Sequence, residues 1–219
     1  MNTLTKMALG MIGHLRPQPA QGDAASALPL PPPHTEGGLP LMQALGLRQS
    51  QRAFAHAPLE RQVLSDLMWA AAGINRPELD GRTAPSAMNS QEIDVYVALP
   101  EGLYRYEPSD HVLYLISATD VRRVTGYQDF VDKAPLDLIY VADHARMKMV
   151  PAAQRESYAS AAAGAMAQNV YLFCASAGLA TVIRAWIDRQ ALSYAMGLEA
   201  DHQILLSQTV GRPVCPAGS

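Results

Sequence analysis

The chain has 219 residues, a net charge of −3, 49% hydrophobic residues and 17% charged ones. That composition is globular and excludes a strongly basic nucleic-acid binder, because neutralising phosphates needs a surplus of Lys and Arg. Two cysteines, Cys174 and Cys215, exclude a disulfide scaffold or a Cys-rich zinc site, and no apolar run reaches the roughly 20 residues of a membrane span.

All 14 aromatics lie from Phe54 onward, while seven of the 16 prolines lie between Pro17 and Pro40. Residues 1–38 therefore read as a separate Pro-rich segment. The run Leu28-Pro29-Leu30-Pro31-Pro32-Pro33 favours polyproline II, and the segment has little apolar surface to offset its ordering entropy. Two readings stay open. One is a flexible tail. The other is an export signal remnant, with Lys6 as its charged end, residues 7–15 as its apolar stretch and Ala25-Ser26-Ala27 as a small-x-small cleavage site. The compartment is cytoplasmic on the first reading and exported (periplasmic) on the second.

The folded body is expected over residues 39–213, with a short tail at 214–219. A short helix ends near Arg48. A second runs over 59–72, with Leu64, Leu67, Met68 and Ala71 at helical spacing and Gly73 as its stop. Residues 93–97 alternate as a half-buried strand, and turns at Gly102 and 108–110 continue it into a meander. Residues 119–125 suit a short helix. Residues 136–142 (LDLIYVA) are nearly all apolar, as in a strand buried on both faces. The longest helix spans 155–177, with an alanine-rich first half and Gly178 as its end. A strand at 181–187, a helix at 189–196 and a strand at 203–210 complete the pattern. The expected fold class is α+β, a mainly antiparallel sheet flanked by helices.

Conventional catalytic signatures are absent: there is no G-x-G-x-x-G, P-loop, H-E-x-x-H or G-x-S-x-G, and the six histidines lack metal-ligand spacing. Three segments stand out. In Arg48-Gln49-Ser50-Gln51-Arg52 two guanidiniums flank a hydroxyl, a set suited to a phosphate. Residues 82–91, RTAPSAMNSQ, bring small and amide residues to a loop before a strand. In residues 178–186 Arg184 interrupts an apolar strand, so it lies on the solvent face or is paired at a site.

In this order and spacing the segments resemble the nitroreductase family of FMN-dependent flavoproteins. Residues 48–52 resemble its Arg-Arg-Ser-x-Arg, residues 85–91 its Pro-Ser-x-x-Asn-x-Gln, residues 178–185 its Gly-Leu-Gly strand, and Val210-Gly211-Arg212-Pro213 its closing Val-Gly-Tyr-Pro. Asn75-Arg76-Pro77, Gln168-Asn169 and Gln208-Thr209 resemble the branch that holds SagB-type, azoline-oxidising dehydrogenases. The resemblance implies a homodimer with FMN at the subunit interface. It implies that Arg48, Ser50 and Arg52 hold the phosphate and ribityl chain, with Gln49 reaching the ribityl or pyrimidine end and Arg212 as a third cation at the phosphate. Pro85, Ser86, Ala87 and Asn89 would come from the other subunit to line the flavin. Ile183, Arg184 and Ala185 would pass the ring and offer a backbone N–H near N5. The side chain of Arg184 either supplies positive charge there or pairs with Asp188.

The implied activity is an oxidoreductase that passes hydride from NADH or NADPH through flavin N5 to an electron-poor small molecule, a nitroaromatic or quinone, by a ping-pong cycle. No side-chain acid or base and no metal are needed. The alternatives are a flavin dehydrogenase or oxidase of a specific metabolite or peptide heterocycle, and a flavin-binding protein with little turnover. Two departures stand out: residues 213–219 lack the family's Lys-x-Arg tail, and Ala185 stands where Gly is common.

Overall fold

The computed structural model describes residues 1–214; Cys215 and the rest of the tail, where the family's basic residues would lie, fall outside the described residues. In chain order the elements are α1 (Thr3–Met11), β1 (Gln18–Pro19), β2 (Ala27–Pro29), α2 (Leu41–Leu47), α3 (Arg61–Ala72), β3 (Ile74–Arg76), β4 (Gly81–Arg82), β5 (Ile93–Leu99), β6 (Gly102–Glu107), β7 (Val112–Ser117), β8 (Thr119–Asp120), β9 (Leu136–Asp143), α4 (Ala152–Ala177), β10 (Ala180–Arg184), α5 (Arg189–Met196) and β11 (His202–Gly211).

Seven strands form one sheet in the order β10-β11-β9-β5-β6-β7-β2, and all its pairings are antiparallel. The fold is thus α+β, as the interspersed hairpins predict. β9 is buried along its length save for Asp143. β5 differs from the half-buried expectation, since only Asp94 of its seven residues is not fully buried. The reason is a second covering layer. Val95, Val97 and Leu138 face a core built with α3 and α4. Tyr96, Ala98 and Ile139 face another, built with Val121, Val124, α5 and Leu15 of the N-terminal segment.

On α4 the small side chains of Ala159, Ala162, Ala163 and Ala167 are buried and let α3 approach with Leu67, Met68 and Ala71. Gly178 ends α4 at φ 66°, the left-handed cap that glycine favours. Gly73 ends α3 for another reason. Its backbone is extended, and a Cβ there would come within 2.4 Å of the Trp69 ring. The helix expected over 119–125 is not formed. Thr119 and Asp120 pair with β1, and only residues 122–124 make a single 3₁₀ turn, because the buried Asp120 accepts from Arg122 at both N–H and guanidinium.

The N-terminal segment is the main departure from expectation. It packs on the body instead of standing free. β2 adds a strand to the sheet edge beside β7, with Pro29 in an edge position where a missing N–H is tolerated. Leu15 is 1% exposed and Lys6 is fully buried. Average composition understates this segment: three leucines (Leu15, Leu28 and Leu30) anchor it, and prolines lower the entropy it loses on ordering. Cleavage after Ala27 would remove Lys6, Leu15 and the first residue of β2.

Candidate functional site

Residues 48–52 leave α2 and run beside the start of β10, where the Gln51 N–H donates to the Thr181 carbonyl at 2.9 Å. Arg48 and Ser50 converge on Tyr171 of α4. The Arg48 guanidinium carbon lies 5.3 Å from the Tyr171 ring centroid, and Ser50 Oγ is 2.8 Å from the Tyr171 hydroxyl. That hydroxyl also accepts from the Ile183 N–H at 3.0 Å. Tyr171 thus joins Ser50 to the Ile183 backbone, and either hydroxyl can be the donor in the Ser50–Tyr171 bond. Tyr171 was not singled out in the sequence; its only signal was a hydroxyl-bearing aromatic on an otherwise apolar helix face, two residues past Asn169.

Beside this junction is a cavity of about 260 Å³ lined by Leu47, Gln49, Gln51, Tyr171, Thr181 and Pro213. Among the described residues the buried Gln51 Oε1 has no hydrogen-bond donor. Among the described residues neither Arg48 nor Arg52 forms an ion pair. Arg52 opens instead onto a neighbouring cleft with Phe54, His56, Phe130 and Lys133. Arg212 is spoken for by Glu60 at 2.9 Å, on the surface.

The loop at 82–91 is under backbone strain. Met88, Asn89 and Gln91 have φ of 53°, 52° and 48°, a region costing non-glycine residues on the order of 1 kcal/mol each. Side chains hold it there. Ser86 Oγ accepts from the Gln91 N–H at 3.0 Å, and Gln91 bridges Arg82 and the Asp80 carbonyl at 2.8 and 2.7 Å. Asn169 of α4 donates to the Thr83 carbonyl at 3.2 Å. Pro85 and Asn89 are exposed, and Ala87 is half-buried.

These two groups do not meet within one chain. The loop packs near Met166 of α4, whereas residues 48–52 pack on Tyr171. Five residues of helix separate those positions by roughly 140° around the axis. No hydrogen bond joins residues 48–52 to residues 85–91 among the described residues.

Arg184 is neither on the surface nor paired with Asp188. Asp188 instead caps α5, accepting from the Ala191 N–H. The Arg184 guanidinium is buried and donates to Asp137 Oδ1 at 2.6 Å, to Thr209 Oγ1 at 2.8 Å and to the Thr125 carbonyl at 2.7 Å. Thr125 and Thr209 hydroxyls complete the shell around the fully buried Asp137. Burial pushes the Asp137 carboxyl up, against the pull of Arg184 and the two hydroxyls, and pushes the Arg184 guanidinium down. Only glycine fits at 126, where a Cβ would sit 2.1 Å from Arg184 Nη1. The side chain of Arg184 thus fixes the strand end from inside, and the exposed Ala185 follows it on the outer surface.

The nitroreductase family model matches residues 46–212. The chain belongs to the nitroreductase family. A protein of Methanocaldococcus jannaschii described as a nitroreductase is 31% identical over 178 residues, 76% of this chain and 88% of its own. A crystal structure of a protein described as a nitroreductase from Ralstonia eutropha JMP134 is 52% identical, with a TM-score of 0.88 over 92% of this chain and 96% of that one. Another nitroreductase structure, from Desulfovibrio desulfuricans in complex with FMN, shares the fold at 21% identity and a TM-score of 0.59, covering 84% and 91% of the two chains. No helix among the described residues is long and apolar enough to cross a membrane.

Proposed function

We propose that this nitroreductase-family chain is an FMN-dependent oxidoreductase that acts as a homodimer, with NADH or NADPH as donor and an electron-poor aromatic as acceptor. The convergence of Arg48, Ser50 and the Ile183 backbone on Tyr171 carries the reading. It leaves the Arg48 guanidinium without an ion pair among the described residues and beside the Ser50 hydroxyl, next to the cavity, with Arg52 on the neighbouring cleft; guanidinium forks and a hydroxyl are donor chemistry for a phosphate. The orphaned Gln51 oxygen fits as well, since it can accept from a ribityl hydroxyl or a flavin N–H.

FMN supplies the redox chemistry: hydride acceptance at N5 and its return to the acceptor. The chain's part is to bind and orient. Arg48, Ser50 and Arg52 hold the phosphate end and Gln49 lies along the cavity mouth. Arg212 can join them, because an exposed ion pair such as its contact with Glu60 is worth little. The Ile183 N–H is spent on Tyr171, so the backbone N–H offered to the flavin comes from the end of the strand at residues 184–185, held still by the Arg184–Asp137 pair beneath it.

The second subunit follows from the two sides of α4. Pro85, Ser86, Ala87 and Asn89 complete a pocket with residues 48–52 only when a second copy brings them across. One face of α2 supports this association: Leu41, Met42 and Leu45 lie within roughly 100° of one another around the helix and are exposed, from 42% to 77%, apolar surface that a monomer would leave in water.

Purified protein is expected to be yellow and to bleach anaerobically with NADH or NADPH. Arg48→Ala is expected to weaken FMN binding by about tenfold or more, the value of a charge-assisted contact. Equal flavin content after gel filtration of variant and wild type would overturn the assignment of Arg48.

A further inference from the structure

Trp186 lies two residues beyond Arg184 and is 49% exposed. Its indole tilts against Tyr127, with ring centroids 5.3 Å apart and planes at 56°. Its N–H makes no hydrogen bond among the described residues, whereas the protein's other indole, Trp69, donates to the Ile74 carbonyl. The half-exposed indole thus offers a free aromatic face, backed by a second ring, to a planar partner.

Behind this pair lies the N-terminal helix. Gly10 of α1 is so close to Tyr127 that a Cβ would come within 2.5 Å of its ring and 2.8 Å of its hydroxyl. Leu9 and Tyr127 both pack against the edge of the second core. One turn earlier, the buried Lys6 ammonium donates to the Gln128 carbonyl and to Asp132 Oδ1, both at 2.9 Å. Arg123 also reaches Asp132, at 3.4 Å. The loop that carries Tyr127 is therefore gripped on both sides by a helix that sequence composition marks as a free tail. Burying an ammonium is costly unless it is paired, so this contact defines one position of α1 on the loop.

We infer that Trp186, backed by Tyr127, is the stacking surface for a planar aromatic acceptor, and that α1, locked by Lys6 and Asp132, is the brace that holds the pair in place. The inference rests on the proposed function, in which residues 183–185 pass the flavin ring and put Trp186 beside it. Trp186 is then a specificity-determining residue. Lys6 is a positioning residue that acts through Tyr127.

The test uses FMN-loaded full-length protein and two acceptors, a nitrofuran and ferricyanide, of which only the first can stack. Trp186→Ala is expected to raise KM for the nitrofuran by about three- to tenfold, the range of an aromatic pair. Turnover of ferricyanide stays within about twofold, and Trp186→Phe restores most of the nitrofuran KM. Lys6→Met is expected to raise the nitrofuran KM in the native background and to add nothing to Trp186→Ala. An unchanged nitrofuran KM in Trp186→Ala, or an equal rise for both acceptors, overturns the stacking surface. Additive effects of the Lys6 and Trp186 substitutions, or no effect of Lys6→Met, overturn the brace. Flavin absorbance and anaerobic bleaching are read separately: wild-type protein that takes up no FMN fails the proposed function itself.

Discussion

Replacing Arg184 by Met tests the buried network directly. The variant keeps the volume of the side chain and deletes its charge, leaving the Asp137 carboxylate with no cation in hydrogen-bond contact. Breaking one half of a buried pair costs about 3–5 kcal/mol. The lower end applies here, because Thr125 and Thr209 still donate to Asp137 and Ser207 still donates to the Thr125 carbonyl. At about 2–4 °C per kcal/mol for a chain of this size, a loss of about 3 kcal/mol lowers Tm by roughly 6–12 °C.

The pH dependence identifies the cause. Burial already holds the Asp137 carboxyl above its usual value, and removing Arg184 raises it further. Between the unfolded value near 4 and the raised folded value, the folded state holds a proton that the unfolded state lacks. Stability in that window falls as pH rises, by about 1.4 kcal/mol per pH unit. The deficit of Arg184→Met against wild type is therefore greatest at neutral pH and shrinks as pH falls toward 5. Urea unfolding at pH 7 and pH 5, followed by circular dichroism at one protein concentration and saturating FMN, measures both. A loss below about 1 kcal/mol, or a deficit equal at the two pH values, would refute the reasoning.

Two further outcomes follow from local geometry. Tyr171→Phe deprives the Ile183 N–H of its acceptor and Ser50 of its hydrogen-bond partner. It should cost about 1–3 kcal/mol of stability and weaken FMN binding, as read by denaturant unfolding and fluorescence titration of added FMN. Gly126→Ala drives a methyl against Arg184 Nη1, where no flexible chain end can yield because Asp137 and Thr209 hold the guanidinium. Overpacking of about 1–3 kcal/mol is expected, and thermal unfolding checks it.

Elements built from one strong local signal were legible. LDLIYVA could only be a doubly buried strand, and the alanine run closed by Gly178 could only be a long helix with a left-handed cap. Family-like segments located the candidate site but not the orientation of its side chains. Arg184 illustrates the limit: a guanidinium in an apolar strand is compatible with solvent or with a buried partner, and Asp137, 47 residues away, carries no local mark of being that partner. Asp137 sits inside LDLIYVA, where a lone carboxylate in an apolar strand was the available clue. Tyr171 eluded the reading because its role comes from a shared hydroxyl between residues 50 and 183, a relation set only by folding. The N-terminal segment eluded it because a few well-placed contacts outweigh a poor average.

The two halves of the candidate site also differ in how they are held, and the difference bears on the proposed homodimer. Residues 48–52 are anchored by β10 and α4 but leave their cations unspent, which would be unfavourable crowding were no anion to arrive. The 82–91 loop is the reverse: nearly every polar group is spent on holding three left-handed residues in place, and Pro85, Met88 and Asn89 are left facing outward. Among the described residues no hydrogen bond joins the cationic edge to the outward-facing loop within one chain. In the proposed homodimer two-fold symmetry would bring them together twice, because the surface that carries one half to its partner also carries the partner's other half back. The exposed apolar residues of α2 lie on the segment that leads directly into Arg48, so burying them in the proposed homodimer would also fix the entry of the residues proposed to hold the phosphate.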